Sequence, residues 1–245
     1  KAFNGTAIGA AVLATDGIHG YHVSPAFPWF SYMMSRNELN KVPQIKEWLQ
    51  AEQEEVYSVL NNSNFYAEMW PVIYNGFTVG TTVLYGEWNW EEQKVRLECV
   101  HPREIYIDEN DFSTVDVLHR KYKRNARQLV QKFGKENVSQ SVKDAYEKSP
   151  FDEFEIIHAV FPREEYDDRK KTATNKKYAS IWYETGSGNV IDESGYDVFP
   201  YKVWRYSRFS NYVYGLSPAI LYMCDIKGLN IISKTLLGAA QMAVD

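Results

Sequence analysis

At 245 residues the chain is long enough for one large domain or two small ones with an ample core. Its hydrophobic and charged fractions, 44% and 24%, are ordinary for a folded soluble protein. The net charge of −5 argues against a protein whose main task is gripping nucleic acid, because such proteins cluster Lys and Arg to displace counterions from phosphates. Tyr and Trp are plentiful; each offers a large apolar surface with a polar edge, suited to extensive subunit contacts and to sugar or base stacking alike.

Cys99 and Cys224 lie too far apart for a metal knuckle, and two cysteines make no disulfide framework; they are expected to be buried free thiols in a reducing compartment. The uncharged stretch Ala2 to Thr15 falls short of the roughly 20 apolar residues of a membrane span, so no membrane association is expected. Its Gly5, Gly9 and alanines fit a tightly packed helix. The chain starts at Lys1, and further sequence is expected upstream.

Small apolar residues at helical spacing predict a helix from Ala7 to His19, ending near Gly20. Ser24-Pro25-Ala26-Phe27-Pro28 cannot continue it, because proline lacks an amide donor and restricts its predecessor. Trp29 to Met33 reads as a short strand. Pro43 opens the next helix, with Ile45, Trp48, Leu49, Val56, Val59 and Leu60 on one stripe. A further short helix is predicted over Phe65 to Tyr74.

The middle of the chain turns to strands. Thr78 to Tyr85 and Lys94 to Val100 flank Gly86-Glu87-Trp88-Asn89-Trp90, a hairpin pattern. Tyr106 precedes an acidic turn, Asp108 to Asp111, and Val115 to Tyr122 alternates as a strand. Short helices are predicted at Asn125 to Phe133 and Ser141 to Lys148. Strands follow at Glu155 to Phe161, Tyr178 to Glu184, Asn189 to Asp192 and Tyr201 to Tyr206; the basic run Arg169 to Lys177 is a loop.

Ser217 as cap and Pro218 at the first position predict one long helix to Val244, about 27 residues or roughly 40 Å. Ile220, Leu221, Met223, Ile226, Leu229, Ile231, Ile232, Leu236, Leu237 and Met242 leave it apolar on nearly every side. Asp225, Lys227, Asn230 and Lys234 interrupt it too often for a bilayer. Such a helix needs neighbours on several faces, and other copies of the chain are the natural source.

Signals for chemistry are weak. His19 and His22 share a helix face but have no cysteine or acidic cluster beside them. Asp108, Glu109 and Asp111 lack the glycine and distal acid of a calcium loop, so a solvated turn is expected. Neither a phosphate loop nor a nucleophile elbow is present. No cofactor, metal or catalytic residue is therefore assigned. A glycan-acting hydrolase would rest on Glu87, Glu91 or Glu98 near Trp88 and Trp90, and a smaller tail adaptor would lack the long apolar helix. The aromatic and basic run Trp204 to Phe209 reads as packing before base stacking.

Several stretches in order resemble the head-to-tail connector, or portal, family of short-tailed phages. Ser24-Pro25-Ala26-Phe27-Pro28-Trp29-Phe30 is similar to that family's Ser-Pro-x-x-x-Trp-Phe segment. So are Ser63-Asn64-Phe65-Tyr66, Gly76 to Tyr85, Asn125 to Gly134, and Glu193-Ser194-Gly195-Tyr196 with Phe199-Pro200-Tyr201. Tyr214-Gly215-Leu216-Ser217-Pro218-Ala219, Asp225-Ile226-Lys227, Leu229-Asn230 and Ala239-Ala240-Gln241 complete the set, with Leu216 where relatives commonly have Gly.

The resemblance implies an α+β fold: a helical N-terminal part at 1–76, a wing domain at 77–212 with a mixed or antiparallel sheet, and a first stem helix at 213–245. Clip, returning stem helix and crown would follow. It implies a non-enzymatic virion protein, assembled in the host cytoplasm into a ring of about twelve subunits at a capsid vertex. Double-stranded DNA would pass through its channel without sequence-specific contacts during packaging and ejection. Terminase, tail or adaptor proteins, capsid and scaffolding protein are the implied partners. Tyr214, Gly215, Ser217, Pro218, Asp225, Leu229, Asn230, Leu236, Leu237 and Gln241 are the expected stem-packing residues.

Overall fold

The structure is a computed structural model, and it describes residues 2–167, 169–170 and 172–243. In chain order the elements are α1 (Thr6–His22), α2 (Pro43–Asn62), α3 (Phe65–Thr78), β1 (Thr81–Asn89), β2 (Lys94–Val100), β3 (Ile105–Glu109) and β4 (Val115–Asn125). Then come α4 (Ala126–Phe133), α5 (Gln140–Lys148), β5 (Glu153–Pro162), β6 (Tyr178–Glu184), β7 (Val190–Tyr196), β8 (Tyr201–Arg205), α6 (Pro218–Leu221) and α7 (Met223–Met242). The α+β class expected from the sequence is what forms. The chain divides into two compact units, Lys1–Cys99 with Val203–Asp245, and Val100–Lys202.

The second unit is an antiparallel meander in the order β3-β4-β5-β6-β7, with α4 and α5 inserted between β4 and β5. Strand alternation sends Tyr122, Ile156, Trp182 and Ile191 to one face, where they form a buried cluster with Ala126, Leu129, Val138 and Val142. The helices stop and start on local chemistry. Asn125 and Gln128 make a reciprocal capping box at the start of α4, and Gly134, at φ 84°, lies just beyond its end. Ser139 caps α5 by accepting from the Val142 amide.

Register places Arg120, His158 and Trp182 side by side across β4, β5 and β6. His158 is fully buried and its ring stacks on Trp182, with centroids 3.8 Å apart. Its Nδ1 pairs with the Tyr201 hydroxyl at 2.6 Å and its Nε2 with the Ser180 hydroxyl at 2.9 Å. Both ring nitrogens are thus satisfied by neutral partners. Burial, then the cations Lys132 and Arg120, hold its pKa well below the ordinary histidine value.

The first unit joins α1, α2 and α3 to the three-stranded sheet β2-β1-β8. Helix α1 packs on α3: the Trp70 indole donates to the Asp16 carboxylate at 2.7 Å, and His19 Nε2 lies 2.9 Å from the Tyr66 carbonyl. It runs two residues beyond the expected end near Gly20. Pro43 stands in the first turn of α2 as predicted, and α3 extends four residues past Tyr74 with Pro71 inside it.

The strand predicted at Trp29 to Met33 does not form. No neighbouring strand is offered to its backbone; side chains take the bonds instead. The Tyr57 hydroxyl accepts from the amides of Trp29 and Phe30, each at 2.7 Å, and donates to the Phe30 carbonyl. Asn40 brackets Met34 in the same way, while Trp29 stacks on Phe65. The predicted hairpin does form, but β1 runs on to Asn89 and the turn comes after it. In the basic loop Lys171 lies outside the described residues, and 173–177 form turns and bends.

The buried histidine sets an expected pH response. His158 stays neutral in the folded chain but takes a proton in the unfolded chain below about pH 6.5, so stability is full above that pH and falls as acid is added. Urea titrations at pH 7.5 and 5.5 should show a loss near 1 kcal/mol per pH unit below 6.5 from this group, absent in a folded His158→Gln variant.

Candidate assembly surface

The sequence singled out the segment from Tyr214 onward, and its start is anchored by close backbone approach. Gly80 has φ 93°, the left-handed region, and a Cβ there would lie 2.7 Å from the Ser217 amide nitrogen. A Cβ on Gly215 would press into the Gly80 carbonyl and the Arg205 side chain. With neither Cβ present, the Gly215 amide reaches the Thr81 hydroxyl at 2.8 Å and the Tyr206 amide reaches the Gly80 carbonyl at 2.9 Å.

Ser217 is fully buried at this junction. Its hydroxyl donates to the Thr78 carbonyl at 2.9 Å and accepts from the Ile220 amide at 3.0 Å. One side chain therefore caps α6 and ties it to the end of α3. Pro218 sits at the first helical position, where no amide is needed.

The helix is not one continuous rod. Tyr222, with ψ 17°, leaves the helical conformation and separates the four-residue α6 from α7. No residue of α7 is buried. Leu236 is 65% exposed and Met242 78%, and Leu229, Ile231, Ile232 and Leu237 are uncovered as well. Asp225 lies exposed in the first turn, where a carboxylate complements the helix dipole, and Gln241 is exposed in the last. Val244 and Asp245, the end of the predicted stem, lie outside the described residues.

Asn230, in the middle of α7, has internal partners of its own. Its Oδ1 accepts from the amides of Phe3 and Asn4, at 2.6 and 3.2 Å, and the Asn4 amide group donates to Ser233 at 3.0 Å. Lys234 Nζ lies 5.8 Å from the centre of the Phe3 ring. The segment ahead of α1 thus clasps the middle of α7. Nothing in the sequence signalled it, since the partners lie more than 220 positions apart. Tyr214 is exposed at the junction, and Gly215 is buried there.

The weak chemical candidates do not assemble into a site. Among the described residues no group of three or more His, Cys, Asp or Glu could hold a metal ion. Glu87 accepts from the Tyr85 hydroxyl, Glu98 is half-buried on β2, and Glu91 is exposed in the hairpin turn. Of the acidic stretch expected as a turn, Asp108 and Glu109 instead end β3, and the turn that follows is organised by Asn110, whose Oδ1 accepts from the Phe112 and Thr114 amides. Cys99 is half-buried, and burial pushes its thiol pKa up; Cys224 is exposed, contrary to the expectation of two buried thiols. No helix among the described residues is long and apolar enough to cross a membrane.

Residues 1–245 match the bacteriophage head to tail connecting proteins along the whole chain, and the protein belongs to that family. It is 29% identical over 226 residues to the portal protein of Salmonella phage epsilon15, covering 91% of this chain and 40% of that protein. To the probable portal protein of Bordetella phage BPP-1 it is 26% identical over 223 residues, covering 89% of this chain and 40% of that one. The chain thus spans about two fifths of the length of these relatives. Nothing in the family or these relatives supports a glycan hydrolase.

Replacing Ser217 with Ala removes the cap and orphans the Thr78 carbonyl. The expected cost is about 1–3 kcal/mol in urea unfolding, with Ser217→Thr recovering part of it. A variant as stable as the parent would show that the junction does not depend on this hydroxyl.

Proposed function

We propose that the chain is the wing and first stem portion of a portal subunit, a structural and non-catalytic component of a phage particle. On this reading 1–76 is the helical part of the wing, 77–212 its sheet-rich part and 213–245 the start of the stem. Subunits close into a ring of about twelve at one capsid vertex, because a head-to-tail contact repeated by a fixed rotation closes on itself. DNA passes through the channel on packaging and ejection; terminase, tail or adaptor proteins, capsid and scaffolding protein meet the ring, which is assembled in the host cytoplasm.

The observation that carries the proposal is α7. Twenty residues long, it holds Leu229, Ile231, Ile232, Leu236 and Leu237 in water when the chain is alone. Fully covering an exposed aliphatic side chain is worth roughly 1.5–3 kcal/mol, and these five are each about half exposed, so they favour association by on the order of 5 kcal/mol before ordering costs. The proposed stem-packing residues divide by role. Leu229, Leu236 and Leu237 supply apolar area; Gly215, Ser217 and Pro218 fix where the helix starts; Tyr214, Asp225, Asn230 and Gln241 mark polar positions along it. A net charge of −5 suits a channel that lets a polyanion slide without trapping it.

Native mass spectrometry or electron microscopy of the full-length gene product is expected to show a large closed ring, and a strictly monomeric product would overturn the proposal. Hydrogen exchange adds a residue-level check. Amides from Ile231 to Met242 should exchange fast in an isolated monomer and at least about tenfold more slowly in the assembly.

A further inference from the structure

We propose that copies of this chain join head to tail through opposite ends of the β2-β1-β8 sheet, the Trp88–Trp90 hairpin tip of one copy seating on the Arg208–Tyr212 loop of the next. This rests on the ring reading above and supplies its contact. The loop is fixed at the Gly80 end of β1, through the Tyr206 amide on the Gly80 carbonyl and the bridge between Ser207 and Leu216. The tip lies at the Asn89 end. Nine residues of strand at about 3.3 Å each separate the two by roughly 30 Å. Two surfaces that differ and do not overlap are what a heterologous contact requires; an isologous pair would need one self-complementary patch.

The two surfaces complement each other in charge. From Leu84 to Lys94 the tip carries Glu87, Glu91 and Glu92 against one cation, Lys94, which is taken up by Glu92, so its charge is net negative. From Val203 to Cys224 the chain carries Arg205 and Arg208 and no carboxylate. After burial, the neighbouring Arg208 charge is what lowers the Arg205 pKa, and an incoming carboxylate relieves that repulsion.

Both surfaces also hold aromatic rings out to solvent. Trp90 is 83% exposed with Trp88 edge-on beside it, 6.3 Å between centroids. Phe209 is exposed, and Tyr212 is 64% exposed. The sequence reading of Trp204 to Phe209 as packing holds for Trp204, whose ring covers Gly76, and for Tyr206, which meets Phe77. Phe209 lies beyond that packed pair. Aromatic and Arg side chains on each side, with a charge pair beside them, are the make-up of interface anchors.

Neither surface has to be organised on binding. Asn89 Oδ1 accepts from the Glu91 and Glu92 amides, and Lys94 pairs with Glu92 at 2.6 Å, which sets the tip. Arg205 donates to the Val213 carbonyl at 2.9 Å, and the Tyr212 amide to the Phe209 carbonyl at 3.2 Å, which sets the loop. Little ordering entropy is then lost in the contact.

The test is charge exchange in the full-length gene product, read by native mass spectrometry and sedimentation. Glu91→Arg and Arg208→Glu, both at exposed positions, should each weaken assembly at least about tenfold, and the double variant should restore most of it, because every contact then pairs the swapped residues. Trp90→Ala should weaken assembly comparably while leaving the circular dichroism unchanged. Single variants that assemble like the parent, or a double variant no better than the singles, would overturn this contact and leave the ring standing. A monomeric parent would remove both.

Discussion

The buried hydroxyl of Ser217 is the point through which the rest of the first unit is arranged. It satisfies the first turn of α6 and the last turn of α3 at once, and only the two glycines facing each other at positions 80 and 215 let the backbones come close enough for it to do so. The terminal helix therefore leaves the unit at a defined place, and it finds no cover within the described residues. A loosely tethered apolar helix would collapse onto whatever surface it met. The root of this segment is tied by Ser217, and the middle of α7 by Asn230 against Phe3 and Asn4.

Burial is divided unevenly between the two units. The meander of the second unit has a dense core of its own, built from Leu129, Val138, Val142, Ile156 and Ile191 and closed by Trp182 on a neutral imidazole. In the first unit neither α2 nor α7 buries a single residue. Water-facing aliphatic side chains contribute nothing to a lone chain's stability, and under the proposed function they are covered on assembly.

The sequence was a good guide wherever a local signal decided the outcome. Pro43 and Pro218 started helices, Ser217 capped one, and Tyr178 to Glu184 was read as a strand with the bounds it has. Asn125 was read as the first residue of a helix and is its cap. Local signals failed where the deciding partner was remote. Trp29 to Met33 has the composition of a strand, yet a hydroxyl from Tyr57 took the bonds a neighbouring strand would have made. The clasp on Asn230 and the break at Tyr222 had no local mark at all. The side-chain network around His158 was equally silent, since Tyr201 and Ser180 are brought to it only by the way the strands assemble.

Apolar area and charge do different work in an assembly of this kind. Burial of α7 is strong but has little directional preference, and a helix with leucines and isoleucines on many faces packs almost as well after a small rotation or slip. Such a surface sets how tightly subunits associate, not how many close the ring. Stoichiometry depends on a fixed rotation between neighbours, which needs contacts whose energy falls steeply with displacement. The ends of the β2-β1-β8 sheet have that character, with rigid aromatic side chains and opposed charges on turns held by their own hydrogen bonds. In the proposed ring the apolar helix provides most of the affinity and the sheet ends provide the angle, so a weakened sheet contact both loosens assembly and disturbs the closure of the ring.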